Sequence, residues 1–146
     1  IGPIGIKAIA GAITKNDALV SSLGAVGAAS TASKTAQSMQ ELHVGSSSIQ
    51  SEGFLAIPRM LLTNISLRSL CVVNNGIDDD DLALLAQALS ENKNLPLETL
   101  RLSFNEITCV GVEHLMNSIW GSPTLRELKL DNNKIQDRGA QLCAVV

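Results

Sequence analysis

The chain has 146 residues, a net charge of −3, 45% hydrophobic content and only 2% aromatic residues. Its acidic balance (pI ≈ 5.3) gives nucleic acid no electrostatic foothold, and no apolar run approaches the roughly 20 residues of a membrane-spanning helix. Three cysteines without a Cys-x-x-Cys pair provide neither a zinc cluster nor a disulfide framework, so a reducing, cytoplasmic location is expected. One counter-signal is Asn64-Ile65-Ser66, an N-glycosylation acceptor triplet.

Residues 1–16 place Ile1, Gly5, Ile6, Ile9, Ala10 and Ile13 at helical spacing, which predicts a helix ending near Lys15 and Asn16. No strand precedes it, and there is neither an initiator Met nor a signal segment, so the chain is read as a piece of a longer one. Residues 17–38 are small and polar, a composition poor at burying area. Val20, Leu23, Ala25 and Ala28 allow a shrunken, degenerate repeat there; an insertion or a break are the alternatives.

From Met39 onward a five-point frame returns. It reads Met39, Leu42, Val44, Ser47, Ile49; then Leu67, Leu70, Val72, Asn75, Ile77; then Leu97, Leu100, Leu102, Asn105, Ile107; then Leu125, Leu128, Leu130, Asn133, Ile135. These are places 1, 4, 6, 9 and 11 of a unit that recurs after 28, 30 and 28 residues, the mark of a solenoid. Full repeats are therefore expected at 39–66, 67–96 and 97–124, with a partial one at 125–146. Places 4 and 6 are two apart, so a short extended segment turns both to one side. After that segment the chain bends, stranding backbone donors and acceptors, and an Asn amide satisfies both kinds. Ser47 makes fewer bonds, so a looser turn is expected there.

Behind each frame, Leu82, Leu85, Ala86 and Leu89, and again Val112, Leu115, Met116 and Ile119, fall on one face of a helix. Each helix is preceded by a Gly or Asp four residues after the Ile: Gly53, Asp81 and Gly111. Pro58 is expected in the first turn of its helix or at a kink. The acids Asp78–Asp81 are read as a helix start favoured by the dipole rather than as a calcium loop. Trp120 is read as a cover over the helix layer.

This frame resembles the leucine-rich repeat family, and the segment Leu-Ala-Gln-Ala-Leu-Ser-Glu-Asn at 85–92 resembles the helical half of ribonuclease-inhibitor-like repeats. The resemblance implies one α/β domain: a right-handed solenoid shaped as a horseshoe, with short parallel strands on the concave face and helices on the convex face. It also implies that Asn75, Asn105 and Asn133 stack as a structural ladder. Family members inhibit enzymes, regulate small GTPases or sense ligands beside a nucleotide-binding module.

Places 3, 5, 7 and 8 point away from the core. They gather the candidate partner-binding residues His43, Cys71, Asn74, Thr99, Arg101, Phe104, Glu127, Lys129 and Asp131. Arg and an exposed aromatic are the composition of interface hot spots, so the expected centre is Arg101, Phe104 and Lys129. His43 beside Cys71 invites a Cys/His dyad, but an open face excludes no water, and a non-catalytic role is expected. No metal or cofactor is called for. The expected function is a scaffold that binds a protein partner on the concave face. The alternatives are a regulator of a small GTPase, for which Asn105, Asn132 and Asn133 are the relevant residues, and a structural subunit of a large assembly.

Overall fold

In the computed structural model, which describes residues 2–25, 39–137 and 139, four three-residue strands alternate with helices. The order is α1 (Pro3–Ala25), β1 (Glu41–His43), α2 (Gln50–Phe54), α3 (Ala56–Leu61), β2 (Ser69–Cys71), α4 (Asp79–Glu91), β3 (Thr99–Arg101), α5 (Cys109–Ile119) and β4 (Glu127–Lys129). The strands form one parallel sheet in chain order. Leu42, Leu70, Leu100 and Leu128 stand side by side in register, as the frame requires.

Parallel neighbours need a crossover, and here each crossover is a helix. Strands sit about 4.8 Å apart whereas packed helices need 8–10 Å. The stack therefore curves with the strands inside, giving an α/β solenoid. Its core is one aliphatic column: Leu42, Leu70 and Leu100 from the strands, Val44, Val72 and Leu102 behind them, and Leu82, Leu85, Val112 and Leu115 from the helices. Ile6, Ala10 and Ile13 of α1 close the N-terminal side.

The helix starts follow from local chemistry. The Asp78 carboxylate accepts from Asp81 N–H (3.0 Å), and Thr108 Oγ1 accepts from Val110 N–H (3.2 Å), each satisfying a free donor of the first turn. Asp79 reaches the next repeat, accepting from Thr108 N–H (2.8 Å) and Gly111 N–H (3.0 Å). The acidic run is thus built into the helix layer. Pro58 satisfies both expectations: the helix breaks at Leu55, and Pro58 lies in the first turn of α3.

Adjacent helices meet at a seam of small residues. A Cβ on Gly53 would stand 2.8 Å from Pro3 Cα, and one on Gly111 would stand 3.2 Å from Asp79 Cα. Where Asp81 replaces the glycine, its carboxylate fills the seam and accepts from Ser51 Oγ at 2.7 Å. Burial, opposed by that hydrogen bond, pushes the Asp81 carboxyl above the usual carboxylate value.

Three expectations are corrected. The first helix does not end at Lys15 and Asn16 but runs to Ala25, because residues 12–23 contain no Gly or Pro to stop it. Val20, Leu23 and Ala25 therefore belong to helix rather than to a frame, and Ala28 lies outside the described residues. Within the described residues α1 packs directly on α2 and α3. Met39, at the place that buries Leu67 and Leu97, is 40% exposed. The residues preceding it lie outside those described.

Asn64 is fully buried, with its Oδ1 accepting from Ser66 N–H (3.0 Å) and Leu67 N–H (2.7 Å). In the folded chain its amide has no room for a glycan. Among the described residues no helix is long and apolar enough to cross a membrane.

Candidate functional site

Strand register sorts the outward side chains into rows. Glu41, Ser69, Thr99 and Glu127 form one; His43, Cys71, Arg101 and Lys129 form the next. In the following turn Ser46, Asn74, Phe104 and Asn132 occupy place 8, with Asp131 just before the last of them. The fold thus brings every candidate partner-binding residue onto one face.

The asparagine ladder ties successive turns of this face together. Asn105 Oδ1 accepts from Asn75 N–H (2.9 Å) and Ile77 N–H (3.1 Å), while its Nδ2 donates to Val72 O (3.0 Å) and Leu102 O (2.9 Å). Asn133 serves Asn105 and Ile107 in the same way, and Asn75 serves Ser47 and Ile49. The Ser47 hydroxyl, in place of an amide, donates within its own turn, to Gly45 O (3.1 Å). That turn takes three non-glycine residues into positive φ (Ser46, Ser48, Gln50), against one in each later turn.

Place 8 is left-handed in all four turns, with φ of 48° at Ser46, 55° at Asn74, 58° at Phe104 and 55° at Asn132. Its N–H then reaches the next turn: Asn74 N–H to Ser103 O (3.1 Å), Phe104 N–H to Asp131 O (2.9 Å). Asn tolerates this conformation; a bulky side chain does so only under strain. Phe104 is nevertheless there and 54% exposed. The frame itself carries the signal that sequence reasoning missed: Asn-Asn at 74–75 and 132–133, but Phe-Asn at 104–105.

The charges converge on β4. Glu127 Oε1 lies 3.3 Å from Arg101 Nη2 and 3.2 Å from Lys129 Nζ, one carboxylate between two cations. The Lys129 hydrogen bond, with the charge of Arg101 beside it, holds the Glu127 carboxyl below its ordinary value. Arg101 Nε is buried and has no hydrogen-bond partner. Asp131 accepts from Ser103 Oγ (2.5 Å) and Asn132 Nδ2 (3.1 Å), and the Ser103 bond holds its carboxyl down. Ser103, expected to face outward, is buried by this contact. At the other end Asn74 Nδ2 donates to Ser46 Oγ (3.1 Å).

His43 and Cys71 are register neighbours, and Glu41 Oε2 stands 3.5 Å from His43 Nε2, a partner the sequence reading did not supply. Both the histidine and the acid are more than half exposed. Trp120 is 62% exposed rather than tucked over the helices. It lines a hollow of about 190 Å³ together with Leu89, Leu95, Leu97 and Leu125.

One strand per turn, a helical return and an asparagine spine define a class: α/β solenoids. A family model described as "Leucine Rich repeat" matches residues 63–86, 93–116 and 121–142. The chain is a leucine-rich repeat protein of the ribonuclease-inhibitor-like type. It is 28% identical over 105 residues to NACHT, LRR and PYD domains-containing protein 14 of Mus musculus, covering 72% of this chain and 10% of that protein. It is 29% identical over 104 residues to the ribonuclease inhibitor of Sus scrofa, covering 71% of this chain and 23% of that one. The chain thus spans less than a quarter of the length of either relative. In fold it is similar to leiomodin-1 actin-binding site 2 (TM-score 0.66, 24% identity, 73% of this chain and 63% of that one). It is also similar to the Caenorhabditis elegans tropomodulin C-terminal domain (TM-score 0.61, 18% identity, 71% and 62%).

Proposed function

We propose that the chain is a non-catalytic scaffold that binds a protein partner on its strand face. The observation that carries this reading is Phe104, an exposed aromatic held at positive φ where the other turns use Ser or Asn. A large apolar side chain kept strained and in water gains its return when a partner covers it. Arg101, Lys129 and Glu127 around it supply the polar rim. The named role of one relative, inhibition of a ribonuclease, is the kind of function this shape serves. The test places the photo-crosslinking residue p-benzoylphenylalanine at position 104 and, separately, at the exposed helix position 114. Protein adducts from position 104 alone support the reading. Equal yield from both, or adducts from 114 alone, overturn it.

A second reading, a structural subunit of an assembly, rests on the helix side. Leu55, Leu62 and Leu84 are 37–42% exposed and line one hollow beside Pro58 and Ala88. Contiguous apolar surface of this kind marks an interaction site. Concentration-dependent association abolished by Leu62→Glu with Leu84→Glu supports it; association indifferent to that pair refutes it.

A further inference from the structure

We propose that the strand face is specific for an acidic, extended segment of its protein partner, and that Arg101 receives one carboxylate of that segment beside Phe104. This rests on the partner-binding reading above and adds the chemistry of what binds.

Four observations carry it. First, Arg101 is poorly used in the chain on its own. Its one hydrogen bond, to Glu127, is long at 3.3 Å, and its Nε–H is buried without an acceptor. A guanidinium is a rigid fork suited to holding a carboxylate through two parallel bonds, and an unmet buried donor is a cost awaiting relief. The side chain is 40% exposed, so it can turn outward and offer Nε and Nη together. Second, Arg101 and Lys129 share the single carboxylate of Glu127, so that carboxylate is held twice. Asp131, the next acid along, is engaged by Ser103 and Asn132. Glu127 thus occupies the place of an incoming carboxylate, with Lys129 able to keep it once Arg101 turns away. Third, Arg101 stands beside Lys129 in strand register, so a carboxylate received there meets a second cation. Fourth, Phe104 lies three residues beyond Arg101, past the same strand, and is exposed. The segment that fits carries Asp or Glu close to an apolar side chain.

The proposal is tested with phage-displayed random dodecapeptides selected on the full 146-residue chain. Selected sequences are then synthesised, their affinities measured and their binding mapped by amide chemical-shift changes. Expected are peptides enriched in Asp or Glu near an aromatic or aliphatic residue, shifting amides of residues 69–74, 99–104 and 127–132. Arg101→Gln should weaken them at least tenfold and Arg101→Lys only partly, because the point charge is kept but the fork is lost. Glu127→Gln should strengthen them several-fold by removing the internal competitor, a gain that a merely structural role for Glu127 would not give. Circular dichroism of each variant confirms folding. Neutral or basic peptides shifting those same amides would overturn the acidic specificity and leave the strand-face reading standing. So would acidic peptides whose affinity is unchanged by Arg101→Gln. Binding confined to helix-side amides, or no selected binder at all, would overturn both.

Discussion

Asn105→Ala removes the centre of the ladder, and its cost can be worked from the bonds it breaks. Two N–H groups, of Asn75 and Ile77, lose the Oδ1 that accepts from them, and Val72 O loses the Nδ2 that caps it. Leu102 O fares better, because Asn133 Nδ2 also donates to it at 2.9 Å. Three backbone groups in a buried turn are left unmet at about 1–1.5 kcal/mol each, which totals roughly 3–5 kcal/mol. Against a typical stability of about 5–15 kcal/mol this is a severe loss. Asn133→Ala breaks matching bonds at a half-buried site, where water substitutes, and should cost roughly 1–2 kcal/mol. Urea unfolding followed by circular dichroism measures both. A loss below about 1 kcal/mol for Asn105→Ala, or equal losses at the two sites, would refute the reasoning.

Three further outcomes are expected. Phe104→Asn should stabilise the chain by about 1 kcal/mol in the same urea experiment, because Asn tolerates the left-handed turn, while weakening the captured partner. The Asp81 carboxyl is raised above the ordinary aspartate value, chiefly by burial, so folding favours its protonated form. Its contribution to stability is present below the unfolded value and lost as pH rises through the higher folded value. Asp81→Asn should flatten that part of the pH profile, and Ser51→Ala should raise the carboxyl further, read by carbon-detected NMR titration. Gly111→Ala should cost about 1–3 kcal/mol, since its methyl would meet Asp79 Oδ1 at 2.4 Å and Cα at 3.2 Å. Pairing it with Asp79→Ala should recover part of that loss in thermal unfolding.

The repeating turns were legible because period and side-chain direction are properties of the chain itself. Leu42, Leu70, Leu100 and Leu128 had to align once the frame recurred, and Asn75, Asn105 and Asn133 had to face inward to satisfy the bend. The rows of the candidate site followed from the same register. What escaped was what neighbouring turns decide. The Phe104 N–H bonds to Asp131 O in the next turn, and the Ser103 hydroxyl donates to the carboxylate of the same residue. Trp120 borders a hollow lined by residues of two successive repeats. The length of α1 escaped for the opposite reason. Nothing in residues 17–23 forbids helix, but their weak apolar spacing equally allows a degenerate frame.

The amide bonds of the spine have a direction. Asn133 closes the turn of Asn105 and Ile107, Asn105 closes that of Asn75 and Ile77, and Asn75 closes that of Ser47 and Ile49. Each coil is latched by its successor, as in a zip fastener with the slider at one end. Trimming from the C-terminal side therefore unlatches one coil after another, whereas trimming from the N-terminal side releases only the coil removed. Cooperativity along this molecule is handed backward, from later residues to earlier ones.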